Sequence, residues 1–200
     1  GIWSGQLHDA ARAAGPDPAD ELVGLFDALG TACRRDGYRG CAFLNAAAVQ
    51  MALGGSTNAA VHMIAMARRA GVALDLPDLD AMARRVPVIA NLFPSGDRLM
   101  EDFHYAGGLP ALMNVIRAHL SLDEITVTGE PLRAQLDGRA VLDPQVILAP
   151  DHPVSPRPAL AVLRGNLAPE GAVIKPSAAS PELMRHRGRA IVFDSPPEMN

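Results

Sequence analysis

Apolar positions recur at helical spacing over most of this chain and at short, β-like spacing towards its end. Leu22, Val23, Leu25, Phe26 and Leu29 form a stripe between Pro18, which suits a first helical turn, and Gly30. Residues 42–53, AFLNAAAVQMAL, are apolar almost all round, as in a helix buried on most sides. Residues 57–70 predict another helix, closed by Arg68, Arg69 and Gly71. A short helix over 78–85 then leads into VPVIANL (86–92), a predicted buried strand. A PSGD turn at 94–97 precedes a helix over 98–105, and after the Gly107-Gly108 break Pro110 opens the helix LPALMNVIRAHL. ITVTG (125–129) alternates like a strand, and 130–136 predicts one more short helix.

Beyond Asp143 the pattern changes. Pro144, Pro150, Pro153, Pro156 and Pro158 favour an extended connection, after which ALAVL, GAVIK and GRAIVF read as strands rich in Val and Ile. The expectation is an α/β fold with a mainly helical first part and a small sheet, followed by the opening of a β-rich part. The boundary falls near residue 150, giving parts 1–150 and 151–200. There is no internal repeat.

Composition narrows the function classes. Eighteen basic against 22 acidic residues give a net charge of −4 without a basic block, which argues against nucleic-acid binding. No run approaches the roughly 20 apolar residues of a membrane span. The opening GIWSGQLHDA lacks the charged and apolar regions of a signal peptide. Cys33 and Cys41 are too few for a disulfide framework and match no zinc or redox spacing, so reduced thiols in a cytoplasmic protein are expected.

Three stretches carry candidate chemistry. In ALGGSTNAAVHM two glycines permit a tight turn, and Ser56 or Thr57 caps a helix whose first N–H groups can face an anion. Asn58 and His62 share a face of that helix, although an ordinary cap and a core histidine explain the same letters. In MEDFHYAGGLP, Glu101 and His104 share one helical face and Asp102 and Tyr105 another. Two ligands do not define a metal site, and a solvated helix end is the plainer reading. In LRGNLAPEGAVIKPSAAS, Lys175 ends a strand before Ser177 and Ser180, placed to neutralise an anion or simply to be solvated. No nucleotide-binding glycine loop, HExxH or GxSxG occurs.

In order, GGSTN, PSG, MEDFHYAGGLPALM, TVTG, LRGNLAPEGAVIKPSAAS and GRAIVF resemble the dihydroxy-acid dehydratase and 6-phosphogluconate dehydratase family of iron–sulfur hydro-lyases. The resemblance runs from about residue 43 to the end; residues 1–40 match nothing in it. EDFHYAGGLP and KPSAAS look most like the sugar-acid branch, the aldonate dehydratases. The resemblance implies dehydration of a 2,3-dihydroxy acid to a 2-keto acid. It also implies a cluster iron on the departing C3 hydroxyl, a magnesium ion on the carboxylate and C2 hydroxyl, and a serine base. Metal coordination suits hydroxide, a poor leaving group.

The sequence departs from that family in its catalytic groups. The cluster cysteines, most magnesium ligands and the serine base that the resemblance implies have no counterpart here. Glu198 sits directly after GRAIVF, upstream of the family's metal-binding glutamate. Two cysteines cannot supply a cluster's thiolates, so neither iron–sulfur cluster nor magnesium is expected to be held by this chain alone. The expectation is a central fragment of a dehydratase, closing on the first strands of a β-barrel-like domain and inactive by itself, with Ser56, Thr57 and Asn58 lining the cluster or substrate pocket. His62, Glu101, His104 and Lys175 are lesser candidates, and no catalytic residue or metal ligand is assigned. The expected partner is a hydroxy-acid substrate, and exposed fragment surface predicts a homo-oligomer. A non-catalytic, small-anion-binding or assembly module on the same scaffold is the alternative; an enzyme using Glu101 and His104 with a divalent metal is a third.

Overall fold

A computed structural model of the chain describes residues 41–189 and 191–199, with Asp9 and Ala13 as isolated positions. The helix expected before Gly30, and Cys33, lie outside the described residues. Helices α1 (Cys41–Ala52), α2 (Thr57–Arg69), α3 (Leu76–Arg85), α4 (Met100–Tyr105), α5 (Gly108–Val115) and α6 (Leu132–Leu136) precede strands β1 (Ala161–Gly165) and β2 (Ala168–Ile174). The fold is thus mixed α/β, mainly helical with a two-stranded antiparallel sheet. No helix among the described residues is long and apolar enough to cross a membrane.

At α3 the local chemistry closes both ends. Asp75 caps α3 through a reciprocal pair, accepting from the Asp78 N–H at 3.1 Å while the Asp78 side chain accepts from the Asp75 N–H at 3.0 Å. Arg84 and Arg85 lie in its last turn, where the macrodipole favours cations. α2 buries Ala60, Met63 and Ala67, one stripe at helical spacing, and leaves His62 exposed. α1 buries Ala47, Ala48, Met51 and Ala52 towards its end, but Leu44 near its start is exposed, so it is less enclosed than its composition predicts.

These faces share one core with residues 86–92, Phe103, Leu112, Ile116, Ile147, Ala159 and Leu160. The segment 86–92 is buried as expected but is not a continuous strand. It makes only isolated bridges, Val88 with Ser155, Ala90 with Ile147 and Leu92 with Arg98. Its amides serve several partners: Ile89 and Ala90 both donate to the Ala52 carbonyl, and Asn91 donates to Val146. Pro87 supplies no donor. The segment threads the core rather than joining a ladder.

Two more predicted strands are corrected. Residues 125–129 fold into a turn, with the Thr126 N–H donating to the Glu130 carbonyl at 2.9 Å and Gly129 at φ +83°. The Thr126 hydroxyl also donates to that carbonyl, giving the backbone a local alternative to a sheet. Residues 188–193 form no strand among the described residues; Ile191 and Val192 are exposed. Their β-branched composition favours a strand only when a partner edge is present, and none of the described residues supplies one. The helix expected to continue from Pro110 shortens to α5 and a 3-10 turn (Arg117–His119). That bend brings Ser121 to α1, where its N–H donates to Asn45 Oδ1 at 2.8 Å and its carbonyl accepts from Asn45 Nδ2.

β1 and β2 realise the ALAVL and GAVIK predictions, pairing Ala161 with Ile174 and Val162 with Val173. Asp80 of α3 accepts a 3.0 Å hydrogen bond from the Val162 N–H and so fastens the hairpin to the helices.

Candidate functional site

Three sequence blocks meet at the start of α2. Gly54 and Gly55 adopt φ of +101° and +71°, a left-handed pair that turns the chain abruptly out of α1. Both sit close to neighbours: a Cβ on Gly55 would lie 2.9 Å from Leu160 Cγ, and one on Gly54 would lie 3.1 Å from Ser95 Oγ. Ser56 is then the N-cap, extended at φ −139° and ψ 128°, its hydroxyl accepting from the Ala59 N–H at 3.3 Å. Thr57 and Asn58 occupy the first turn, whose amides no intrahelical carbonyl serves, and no acidic residue stands there. All three of Ser56, Thr57 and Asn58 are exposed, open to solvent and to a ligand.

The loop is held from below and from two sides. Gln50 Nε2 donates to the Ser56 carbonyl at 2.6 Å, while its Oε1 is buried without a hydrogen-bond partner among the described residues. Lys175, at the end of β2, reaches across 120 residues of sequence to donate from Nζ to the Gly55 carbonyl at 2.9 Å. Partial burial holds the Lys175 ammonium below its ordinary pKa. The hydroxyls of Ser95 and Ser177 lie 2.9 Å apart, tying the PSG turn to the segment after Lys175.

A polar network fixes that turn. Asn91 Nδ2 donates to Asp97 Oδ1 at 2.8 Å and to the Gln145 carbonyl at 3.1 Å, while Asn91 Oδ1 accepts from the Asp97 N–H. Arg98 reaches Gln145 Oε1 at 3.1 Å. Ser95 therefore projects from a braced loop.

The other candidates do not join this cluster through any described hydrogen bond. His62 lies on the exposed side of α2, so it is not the core histidine of the plainer reading. Glu101 and His104 are exposed on α4, where the His104 ring stands edge-on to Tyr105 with centroids 5.3 Å apart. No group of three or more His, Cys, Asp or Glu side chains converges among the described residues, so nothing there completes a metal set around Glu101 and His104. Asp102 has a structural task, accepting from the Leu99 N–H at 2.8 Å at the start of α4. Lys175 is engaged on a carbonyl rather than standing free.

The dihydroxy-acid/6-phosphogluconate dehydratase N-terminal profile matches residues 19–135, and the C-terminal profile of the same family matches residues 145–200. The chain belongs to this dehydratase family. The match begins at residue 19, so part of the segment before residue 43 belongs to it as well, a correction to the extent read from the motifs.

The chain is 53% identical over 153 residues to a 6-deoxy-6-sulfo-D-gluconate dehydratase of Pseudomonas putida, covering 75% of this chain and 26% of that relative. It is 47% identical to an L-arabinonate dehydratase of Rhizobium leguminosarum bv. trifolii, over 76% of this chain and 27% of the relative. With a dihydroxy-acid dehydratase of Moorella thermoacetica the identity is 48%, over 78% of this chain and 29% of the relative. The chain thus spans between a quarter and a third of the length of these relatives.

Ser56, Lys175 and Ser177 were visible in the sequence. Gln50, Ser95 and the Gly55 carbonyl were not singled out as site groups. The PSG block was the available signal for Ser95, since a short polar turn has no periodicity to declare its neighbours.

Proposed function

We propose that this chain is a central fragment of a hydro-lyase that removes water from a 2,3-dihydroxy acid, a sugar acid or a related dihydroxy acid, to give a 2-keto acid. The observation that supports this reading best is the meeting of GGSTN, PSG and KPS at one capped helix start. There Ser56, Thr57 and Asn58 open α2 and are exposed. A substrate carboxylate is the chemical complement of such a helix N-terminus. Ser56, Thr57 and Asn58 line the pocket for substrate or cluster, and Lys175 braces the loop that presents them. The sugar-acid branch is the reading favoured by the EDFHYAGGLP and KPSAAS blocks. In this reading residues 1–150 are the later portion of an α/β catalytic domain, and 151–200 begin a β-rich domain.

The family resemblance implies an iron–sulfur cluster and magnesium, which supply Lewis acidity when bound. This chain's donors do not fit either group. It has two cysteines in all, and no three candidate ligands converge among the described residues. No step is therefore assigned to the chain through them; its own contribution is to present amides and hydroxyls to an anionic substrate. A cytoplasmic setting suits a chain with two cysteines, too few for a disulfide framework. A homo-oligomer suits the exposure of Phe93, Leu99, Met100 and Tyr105.

Two measurements test this reading. The chain alone, given iron, sulfide and magnesium anaerobically, is expected to turn over neither aldonates nor 2,3-dihydroxy-3-methylbutanoate. Thr57→Val, made at the matching position of an intact aldonate dehydratase of the family, is expected to raise KM about tenfold, corresponding to about 1.4 kcal/mol. Turnover by the isolated chain, or an unchanged KM in the variant, would overturn it.

A further inference from the structure

A second recess lies between the end of α3 and the proline-rich connection. It has a volume of about 520 Å³ and is lined by Arg84, Arg85, Pro87, His119, Ser155 and Arg157 among others. That volume is in the range of small-molecule sites. It shares no lining residue with the loop at the start of α2. Among the described residues its wall contains three arginines and a histidine and no carboxylate, in a protein whose net charge is −4. The basic character is therefore local and runs against the charge of the whole.

The arginines are not equivalent. Arg84 is neutralised by Asp80, with Nε 2.9 Å from Oδ2. Arg85 and Arg157, which both line the recess, form no ion pair among the described residues, so two arginines there keep their full charge. The carboxyl end of α3 opposes them with only about half a charge, so the sum favours an anion.

The wall is also rigid. Pro87, Pro150, Pro153, Pro156 and Pro158 all line it, and their rings fix φ along the chain. Pro156 and Pro158 flank Arg157, whose N–H donates to Ser155 Oγ at 3.0 Å. The backbone that carries Arg157 is thereby set before any ligand arrives, which lowers the ordering cost of binding.

We infer that this recess is a binding site for a small multivalent oxyanion, a diphosphate or a polycarboxylate, gripped by the guanidinium forks of Arg85 and Arg157. Two guanidinium groups can each offer paired N–H donors to such oxygens. The volume of about 520 Å³ matches a small molecule.

Isothermal titration of the 200-residue chain with inorganic pyrophosphate and, separately, with citrate tests the inference and distinguishes the two ligand chemistries. Saturable binding of at least one is expected. The double variant R85Q/R157Q should weaken it at least tenfold, whereas R117Q, whose arginine pairs with Asp137 outside the recess, should stay within twofold. Far-ultraviolet circular dichroism establishes that each variant is folded. Should R85Q/R157Q not fold, the single variants R85K and R157K replace it, each expected to weaken binding at least threefold by losing the fork while keeping the charge. Absence of saturable binding by both anions, or equal binding by wild type and the recess variants, would overturn the inference.

Discussion

Gly55→Ala is the sharpest probe of how the glycine loop is held. Gly55 sits at φ +71°, and an alanine Cβ there would lie 2.9 Å from Leu160 Cγ, 3.0 Å from Ala159 Cβ and 3.2 Å from the Ala159 backbone carbon. Two separate costs follow. A left-handed conformation costs an L-residue about 1–2 kcal/mol. Leu160 and Ala159 are 2% and 3% exposed, so neither can swing into solvent to make room. Overpacking of that kind costs about 1–3 kcal/mol. The expected destabilisation is therefore about 2–5 kcal/mol. Gly129→Ala supplies the control, because Gly129 is at φ +83° with no heavy atom within 4 Å of the added Cβ. Only the backbone cost applies there, about 1–2 kcal/mol. Urea unfolding followed by circular dichroism reads both, with unchanged m-values licensing the comparison. If the two variants lost the same stability, the packing of the loop against residues 159–160 would be refuted.

Two further outcomes rest on the contacts that tie the hairpin to the helices. Lys175→Met removes the donor to the Gly55 carbonyl, with an expected loss of about 1–2 kcal/mol by urea unfolding at neutral pH. Because burial lowers the Lys175 pKa from 10.5, the unfolded chain holds more protons between that lowered value and 10.5. Wild-type stability should therefore gain a rising component with pH in that window, absent from the variant. Asp80→Asn weakens the acceptor for Val162 and the pair with Arg84, costing about 1 kcal/mol at neutral pH. The Val162 N–H, and then Arg84, hold the Asp80 carboxyl below 3.8 despite its partial desolvation. Its contribution is thus complete above 3.8 and lost as pH falls through the lowered value, so the acid limb of the variant should be shallower.

The helices were legible because their signals are local. Ala60, Met63 and Ala67 show their common face in the spacing alone, whereas the Asp75–Asp78 cap starts α3 at Leu76, two residues before the predicted start at 78. Strands depend on partners that the local pattern cannot name. VPVIANL has the composition of a buried strand and is buried, yet its amides go to Ala52 on α1 and to Val146, over fifty residues away. ITVTG alternates correctly, but Gly129 and the Thr126 hydroxyl make a turn the better local solution. Alternation in a short run reports that one face could be buried; only the rest of the chain determines whether a ladder exists.

The candidate site shows the same distinction from the other side. The glycine pair and the capping residue types put Ser56, Thr57 and Asn58 at a helix start, and the cap to Ala59 agrees with that placement. No periodicity connects Gly55 with Lys175, which are 120 residues apart, or Ser95 with Ser177, 82 apart. Those blocks were grouped by resemblance, and the structure supplies the physical reason for grouping them. Two consecutive left-handed glycines clear the space in which Leu160 and Ser95 sit, and Lys175 then occupies the carbonyl that the turn exposes. Each piece is weak evidence alone, since a glycine pair, a serine turn and a strand-end lysine occur in many folds. Their mutual contact makes the loop a braced platform for the amides of α2, so a change at any of the three blocks should be felt at the other two.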